Sequence, residues 1–100
     1  MFNGKKYVSR EANEIVPIEI QVLMWSMIDE LKEKTKVDYL QIFKISKHDD
    51  ESISIEHKQE IPTYENRILV ELEGVEIKGI IKIYVIDSVE YSTMILAEEY

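Results

Sequence analysis

The sequence contains no cysteine. That absence removes disulfide staples, zinc–thiolate centres and thiol nucleophiles together, and it suits a reducing cytosol. Proline and glycine are scarce, two and three residues in 100, which argues against disorder and against collagen-like architecture. Histidine occurs only as His48 and His57, so any site that needs an imidazole base must use one of these two. Long apolar runs are also missing. Stretches such as Val22-Leu23-Met24-Trp25 are four residues long, against the ~20 that a membrane-spanning helix needs. The opening Met1-Phe2-Asn3-Gly4-Lys5-Lys6 runs into mixed polar sequence with no apolar core behind it, so no signal peptide is expected.

What is present is an ordinary globular mixture, 45% hydrophobic and 32% charged, in 100 residues. A chain of this mass folds to about 5,900 Å² of surface and buries roughly two-thirds of what it exposes unfolded, enough for one modest core. One domain over residues 1–100 is expected. Net charge is −8, unevenly placed: residues 1–36 carry six basic and six acidic groups, residues 37–100 six basic and fourteen acidic. Contacts to phosphates need clustered Lys and Arg, so neither direct nucleic-acid binding nor an anionic membrane surface is expected.

Tyr7 and Val8 make a short strand within Lys6–Ser9, followed by a polar connection, Arg10 to Glu14. Pro17 suits a first helical turn and Glu19 complements the helix N-terminus, predicting a helix over about residues 17–35. At 100° per residue Ile20, Leu23, Met24, Met27, Ile28 and Leu31 gather on one face, and Glu19, Ser26, Glu30 and Glu33 on the opposite one. Ile18, Val22 and Trp25 form a second, narrower apolar stripe. The N-terminal segment around Tyr7 and Ile15, or another protein chain, must cover it.

Beyond the helix the period changes from 3.6 to 2. Val37–Ser46 and Ser52–Glu60 read as a hairpin around the polar Lys47–Glu51 turn, with Ile53, Ile55 and His57 on one side of the second strand. Ile61-Pro62 ends it, because proline cannot donate to a ladder. Arg67–Glu73 and Val75–Ile86 read as two more strands joined by a tight turn at Glu73-Gly74, with Gly79 marking a bulge or a close contact with the helix. Tyr91–Leu96 is either a last antiparallel strand or a short helix. The fold class expected is α+β in two layers: one long helix on an antiparallel sheet of about five strands, in the order β-α-β-β-β-β-β.

Ser9-Arg10, Asn13-Glu14-Ile15-Val16-Pro17, Gln21, Trp25, Ile28-Asp29, Leu31 and Asp38-Tyr39-Leu40-Gln41-Ile42-Phe43 together resemble the bacterial family called domain of unknown function 960. The later segments His57-Lys58-Gln59-Glu60-Ile61-Pro62, Tyr84-Val85-Ile86-Asp87 and Tyr91–Leu96, with Glu99-Tyr100, agree. The resemblance implies a cytoplasmic bacterial or phage-related protein and carries over no catalytic or binding residue.

No catalytic residue, cofactor or metal site is expected from the motifs. His48 lies in a charged turn, and His57 shares a strand face with isoleucines, where a satisfied core histidine is the plainer reading. The run His48-Asp49-Asp50-Glu51 lacks the alternating acids and central glycine of a calcium loop. His57, Gln59, Glu60 and Tyr64 form a polar cluster, read either as a strand end capping local backbone or as a small-ligand or enzymatic site. A third idea rests on Glu71, Glu73 and Glu76 with Asp49, Asp50 and Glu51, which could imitate phosphates and occupy a DNA-binding protein; the interspersed Lys44, Lys78 and Lys82 weaken the mimic. The leading expectation is a non-enzymatic protein-interaction or regulatory module, a homodimer or an adaptor, working through Ile18, Val22 and Trp25, since tryptophan is enriched at binding hot spots.

Overall fold

A computed structural model describes every residue from Met1 to Tyr100. Strand β1 (Lys5–Val8) leads into a short helix α1 (Arg10–Ile15) and the long helix α2 (Ile18–Lys34). Five strands follow: β2 (Leu40–Lys47), β3 (Ser52–Gln59), β4 (Tyr64–Glu71), β5 (Ile81–Asp87) and β6 (Tyr91–Leu96), and a 3₁₀ turn at Ala97–Glu99 closes the chain. The α+β layering and the single long helix match the sequence-based expectation. The sheet, however, has six strands rather than about five, and it is mixed: in the order β1-β6-β5-β2-β3-β4 every pair is antiparallel except β1 with β6. The reason is that β1 enters before the helix and adds to the far edge from the same side as β6. Gly4 makes this possible, because a Cβ there would lie 2.1 Å from the Glu90 carbonyl oxygen.

Three local expectations fail. Arg10 to Glu14 is helix, not polar connection: Ser9 accepts a bond from the Ala12 amide at 3.1 Å and so caps α1. Glu73-Gly74 is not a hairpin turn, since β4 is an edge strand and β5 lies between β2 and β6. Residues 72–80 instead carry the chain across the end of the sheet, with Leu72, Val75 and Ile77 packed against the core. Gly79 accordingly lies outside the strand at φ +65°, and an added Cβ would meet nothing within 4 Å, so it is neither bulge nor close contact. Tyr91–Leu96 is the strand of its two alternatives.

The core lies between α2 and one face of the sheet. Ile20, Met24, Met27 and Ile28 of the helix meet Phe43, Ile45, Ile55, Ile83, Val85 and Met94 of the strands. At about 1.5–3 kcal/mol for each large apolar side chain fully buried, this cluster is the main favourable term in folding. Two further attachments hold the N-terminal part. Gln21, buried on α2, donates to the Val16 carbonyl at 2.8 Å and to Asn13 at 3.1 Å, which fixes α1 to α2. Phe2 inserts into the core, with its amide donating to Asp87 at 3.0 Å and its carbonyl accepting from Lys32 at 2.7 Å.

Candidate functional site

Strand periodicity puts Gln41 and Phe43 of β2 beside His57 and Gln59 of β3 on the helix-facing side of the sheet, and all four are buried. They form a closed polar corner. Gln59 Oε1 accepts from the Asp38 amide and from Gln41 Nε2, both at 2.9 Å; its Nε2 donates to the Lys36 and Pro62 carbonyls, also at 2.9 Å. Gln41 Nε2 donates in addition to the Asp38 carbonyl at 2.9 Å, which leaves Gln41 Oε1 to accept from His57 Nε2 at 2.6 Å. The network therefore fixes the His57 tautomer, with the proton on Nε2 and a lone pair on Nδ1.

The imidazole stacks on Phe43 at 4.4 Å between centroids and meets the edge of Tyr64 at 5.5 Å. Burial pushes its pKa down to about 4, partly offset by the Glu30 carboxylate on α2, so His57 is neutral near pH 7. Nδ1 is buried and has no hydrogen-bond partner. No hydroxyl, thiol or carboxylate is bonded to it, and the ring has no exposed surface. The corner ties β2 and β3 to the α2–β2 connection at Lys36–Asp38 and to the β3–β4 connection at Pro62.

Of the expected cluster, the structure brings together His57, Gln59 and Tyr64, while Glu60 is exposed and takes no part. Gln41 is the member that the sequence-based cluster lacks. It shares the face of Phe43 and Ile45 by strict alternation, so a glutamine at a core position is the signal that points to it.

The acidic residues converge at the opposite end of the β2–β3 hairpin. Asp50 and Glu51 line the same shallow depression as Glu71, Glu73 and Glu76. Asp49 is occupied otherwise: its Oδ1 accepts from the Glu51 and Ser52 amides and the Ser52 hydroxyl at 2.8–2.9 Å, and these bonds hold its carboxyl below the usual range. No three His, Asp or Glu side chains converge as ligands for a metal ion.

The second helix stripe divides. Trp25 is half-buried against the core, with the Lys6 ammonium 5.8 Å from its ring centroid. Ile18 and Val22 are 62% and 57% exposed, and Ile15 at the end of α1 is 48% exposed. Tyr7 does not cover them, because it lies on the other face of the sheet beside Tyr91. No helix of the chain is long and apolar enough to cross a membrane.

Comparison with known proteins agrees with this picture at the level of fold. The chain is similar to a solved structure described as the protein of unknown function from Enterococcus faecalis, with a TM-score of 0.83 and 19% sequence identity, over 98% of this chain and 92% of that one. No curated protein matches the sequence. A family model described as staphylococcal protein of unknown function matches residues 5–99, and the chain belongs to that family, domain of unknown function 960.

Proposed function

We propose that this protein is a non-catalytic protein-binding module of the bacterial cytoplasm, holding its partner on the outward strip of α2. The observation that carries this reading is the exposure of Ile18 and Val22 on successive turns of a helix whose core face is already fully used. The half-buried Trp25 gives the strip a rigid end. Such a strip gains about 25 cal/mol for each Å² of apolar surface a partner covers. The polar corner supports the same conclusion from the other side: His57, Gln41 and Gln59 spend their hydrogen bonds internally, which makes a small-ligand or enzymatic site at His57, Gln59 and Glu60 the weaker alternative. Affinity purification from the host, with mass spectrometry, is the test. A partner recovered by the wild type and lost with Ile18→Asp or Val22→Glu is expected; an unchanged set of partners overturns the reading.

A second reading has its own observation, the convergence of Asp50, Glu51, Glu71, Glu73 and Glu76 on one depression. Here the protein would be an acidic decoy that occupies the nucleic-acid groove of a DNA-binding protein. Its partner would be released by salt, as contacts between exposed charges are, and Glu73→Lys with Glu76→Lys would abolish capture. Salt-insensitive binding removes it.

A further inference from the structure

The helices cover one face of the sheet, and the other face is open. β3 and β4 mostly treat it as a solvated surface, pointing Ser52, Ser54, Glu56 and Lys58, then Glu65, Arg67 and Glu71, away from the core, with Leu69 the one exposed apolar residue among them. The other four strands do not. Leu40, Ile86, Thr93 and Tyr7 form one cross-strand row over β2, β5, β6 and β1, and Ile42, Tyr84 and Ile95 form the next. Tyr91 packs edge-on against Tyr7 at 5.7 Å, and Tyr100 edge-on against Tyr84 at 5.3 Å. The Tyr100 phenol also lies close enough to Tyr39 to raise the pKa of its hydroxyl.

None of these positions carries a charge, in a chain that is 32% Asp, Glu, Lys and Arg. Charge returns at the margin, as Lys5, Lys44 and Lys82, as Glu56 of β3 paired with Lys44 at 3.8 Å, and as Asp38 and Glu60 near Tyr39; no outward position of the four strands themselves is a carboxylate.

We propose that this charge-free half of the open sheet is a two-fold interface between two copies of the chain, packed sheet face to sheet face. It goes beyond the helix-side reading and uses none of its residues. An uncharged aromatic centre with a charged rim is the anatomy of a buried interface, and stacked sheets seat two such faces about 10 Å apart. The area is sufficient. Tyr7, Tyr39, Tyr91 and Tyr100 are 44–66% exposed, which at ~200 Å² per ring leaves about 400 Å² open before the aliphatic residues are counted. With those added, each of them partly buried, the patch comes to roughly 500–800 Å², up to the ~800 Å² that each partner contributes to a standard interface. The chain also exposes 6353 Å², roughly 450 Å² more than a compact monomer of its mass.

A second copy fits better than a different occupant. Copies of a chain with net charge −8 repel one another over most of their surface, and on the outward positions of these four strands they meet no carboxylate side chain. A two-fold axis sets uncharged tyrosine and aliphatic side chains against their own kind and sends the lysines to opposite ends, where their stems can reach water. A polynucleotide would have to approach the same anionic molecule with only three marginal lysines to receive it.

The test is the solution mass of the full chain by light scattering, from about 5 to about 500 µM, a span that reaches an association as weak as a Kd of ~10⁻⁴ M. A twofold rise from 11.8 kDa is expected, unaffected by high salt. Tyr7→Glu with Tyr91→Glu should return the mass to monomer, whereas Val22→Glu on the helix should leave the dimer intact. A second variant keeps the question open to refutation if the glutamates disturb folding: in this cysteine-free chain, Thr93→Cys near the axis should form an intermolecular disulfide under mild oxidation, and Lys58→Cys on β3 should not. A monomer at every concentration overturns the proposal, as does a dimer broken by Val22→Glu but not by the tyrosine variants, equal cross-linking at positions 93 and 58, or a monomer that binds oligo-dT through this face. Failure here leaves the helix-side reading standing, because that reading is tested by partner capture and not by mass.

Discussion

The two faces of the sheet break the usual polarity in opposite senses. On the helix side, at one corner, His57, Gln41 and Gln59 are buried where apolar residues belong; on the open side, Tyr84, Ile86 and Ile95 stand where polar residues belong. The first departure is closed, since all but one of its polar atoms have a partner within the fold. The second is open, because nothing in the chain covers Tyr7, Tyr91 or Tyr100. An unusual residue satisfied internally suits a structural joint, and an apolar one left open to solvent is what the proposed interface requires.

The contrast can be broken most sharply at Gln59. Gln59→Leu removes four hydrogen bonds and leaves the Asp38 amide, Gln41 Nε2 and the Lys36 and Pro62 carbonyls without that partner. At ~1–3 kcal/mol for each buried orphan, with some regaining water, a loss of about 3–5 kcal/mol in urea unfolding is expected. A loss below ~1 kcal/mol would mean that the corner is not a joint.

His57 tests the same corner through pH. Its folded pKa of about 4 lies below the ordinary value of 6.5, so the unfolded chain binds the proton first. The contribution is complete above pH 6.5 and is lost as pH falls through the window towards 4, by up to roughly 3 kcal/mol. Carboxylates add their own slopes, so the readout is the difference from His57→Phe. That variant should be about 1–3 kcal/mol less stable at pH 7.5, through the orphaned Gln41 Oε1, and should show a flatter pH profile than the wild type between 6.5 and 4.

The open face should behave differently. Wild-type Tm should rise with protein concentration, as it does when the folded state associates. Tyr91→Glu should cancel that dependence while lowering the Tm of the dilute protein little. The smallest effect belongs to Val22→Glu, an exposed change outside both regions that should alter unfolding free energy by no more than ~0.5 kcal/mol. A larger cost would mean that Val22 is packed within the fold.

Much of this architecture is legible in the order of the amino acids. The 3.6 period of Ile20, Met24, Met27, Ile28 and Leu31 locates the long helix within one residue at each end, and the alternation of Ile53, Ile55 and His57 assigns the buried side of β3. One failure is local, the short α1 that Ser9 caps; the others are nonlocal. Glu73-Gly74 has the composition of a hairpin turn, and Gly74 does adopt φ +71°. Whether the strands on either side of such a turn pair depends on which edges are free, and no local signal reports that. Gln41 is half legible: alternation puts it on the face of Phe43 and Ile45, but its partners are 16 and 18 residues away, and no local signal pairs it with them.

The sequence by itself determined the class of the molecule: one long amphipathic helix, a run of short strands, no thiol chemistry and a strong acidic excess. These follow from composition and from periods of 3.6 and 2, which are properties of neighbouring residues. Tertiary structure alone decided that β1 joins the far edge of the sheet, that His57 is neutral and enclosed, and that the uncharged positions of four strands lie side by side. Those facts depend on strand order, because residues as distant as Tyr7, Leu40, Ile86 and Thr93 become one surface only when the sheet brings them into register.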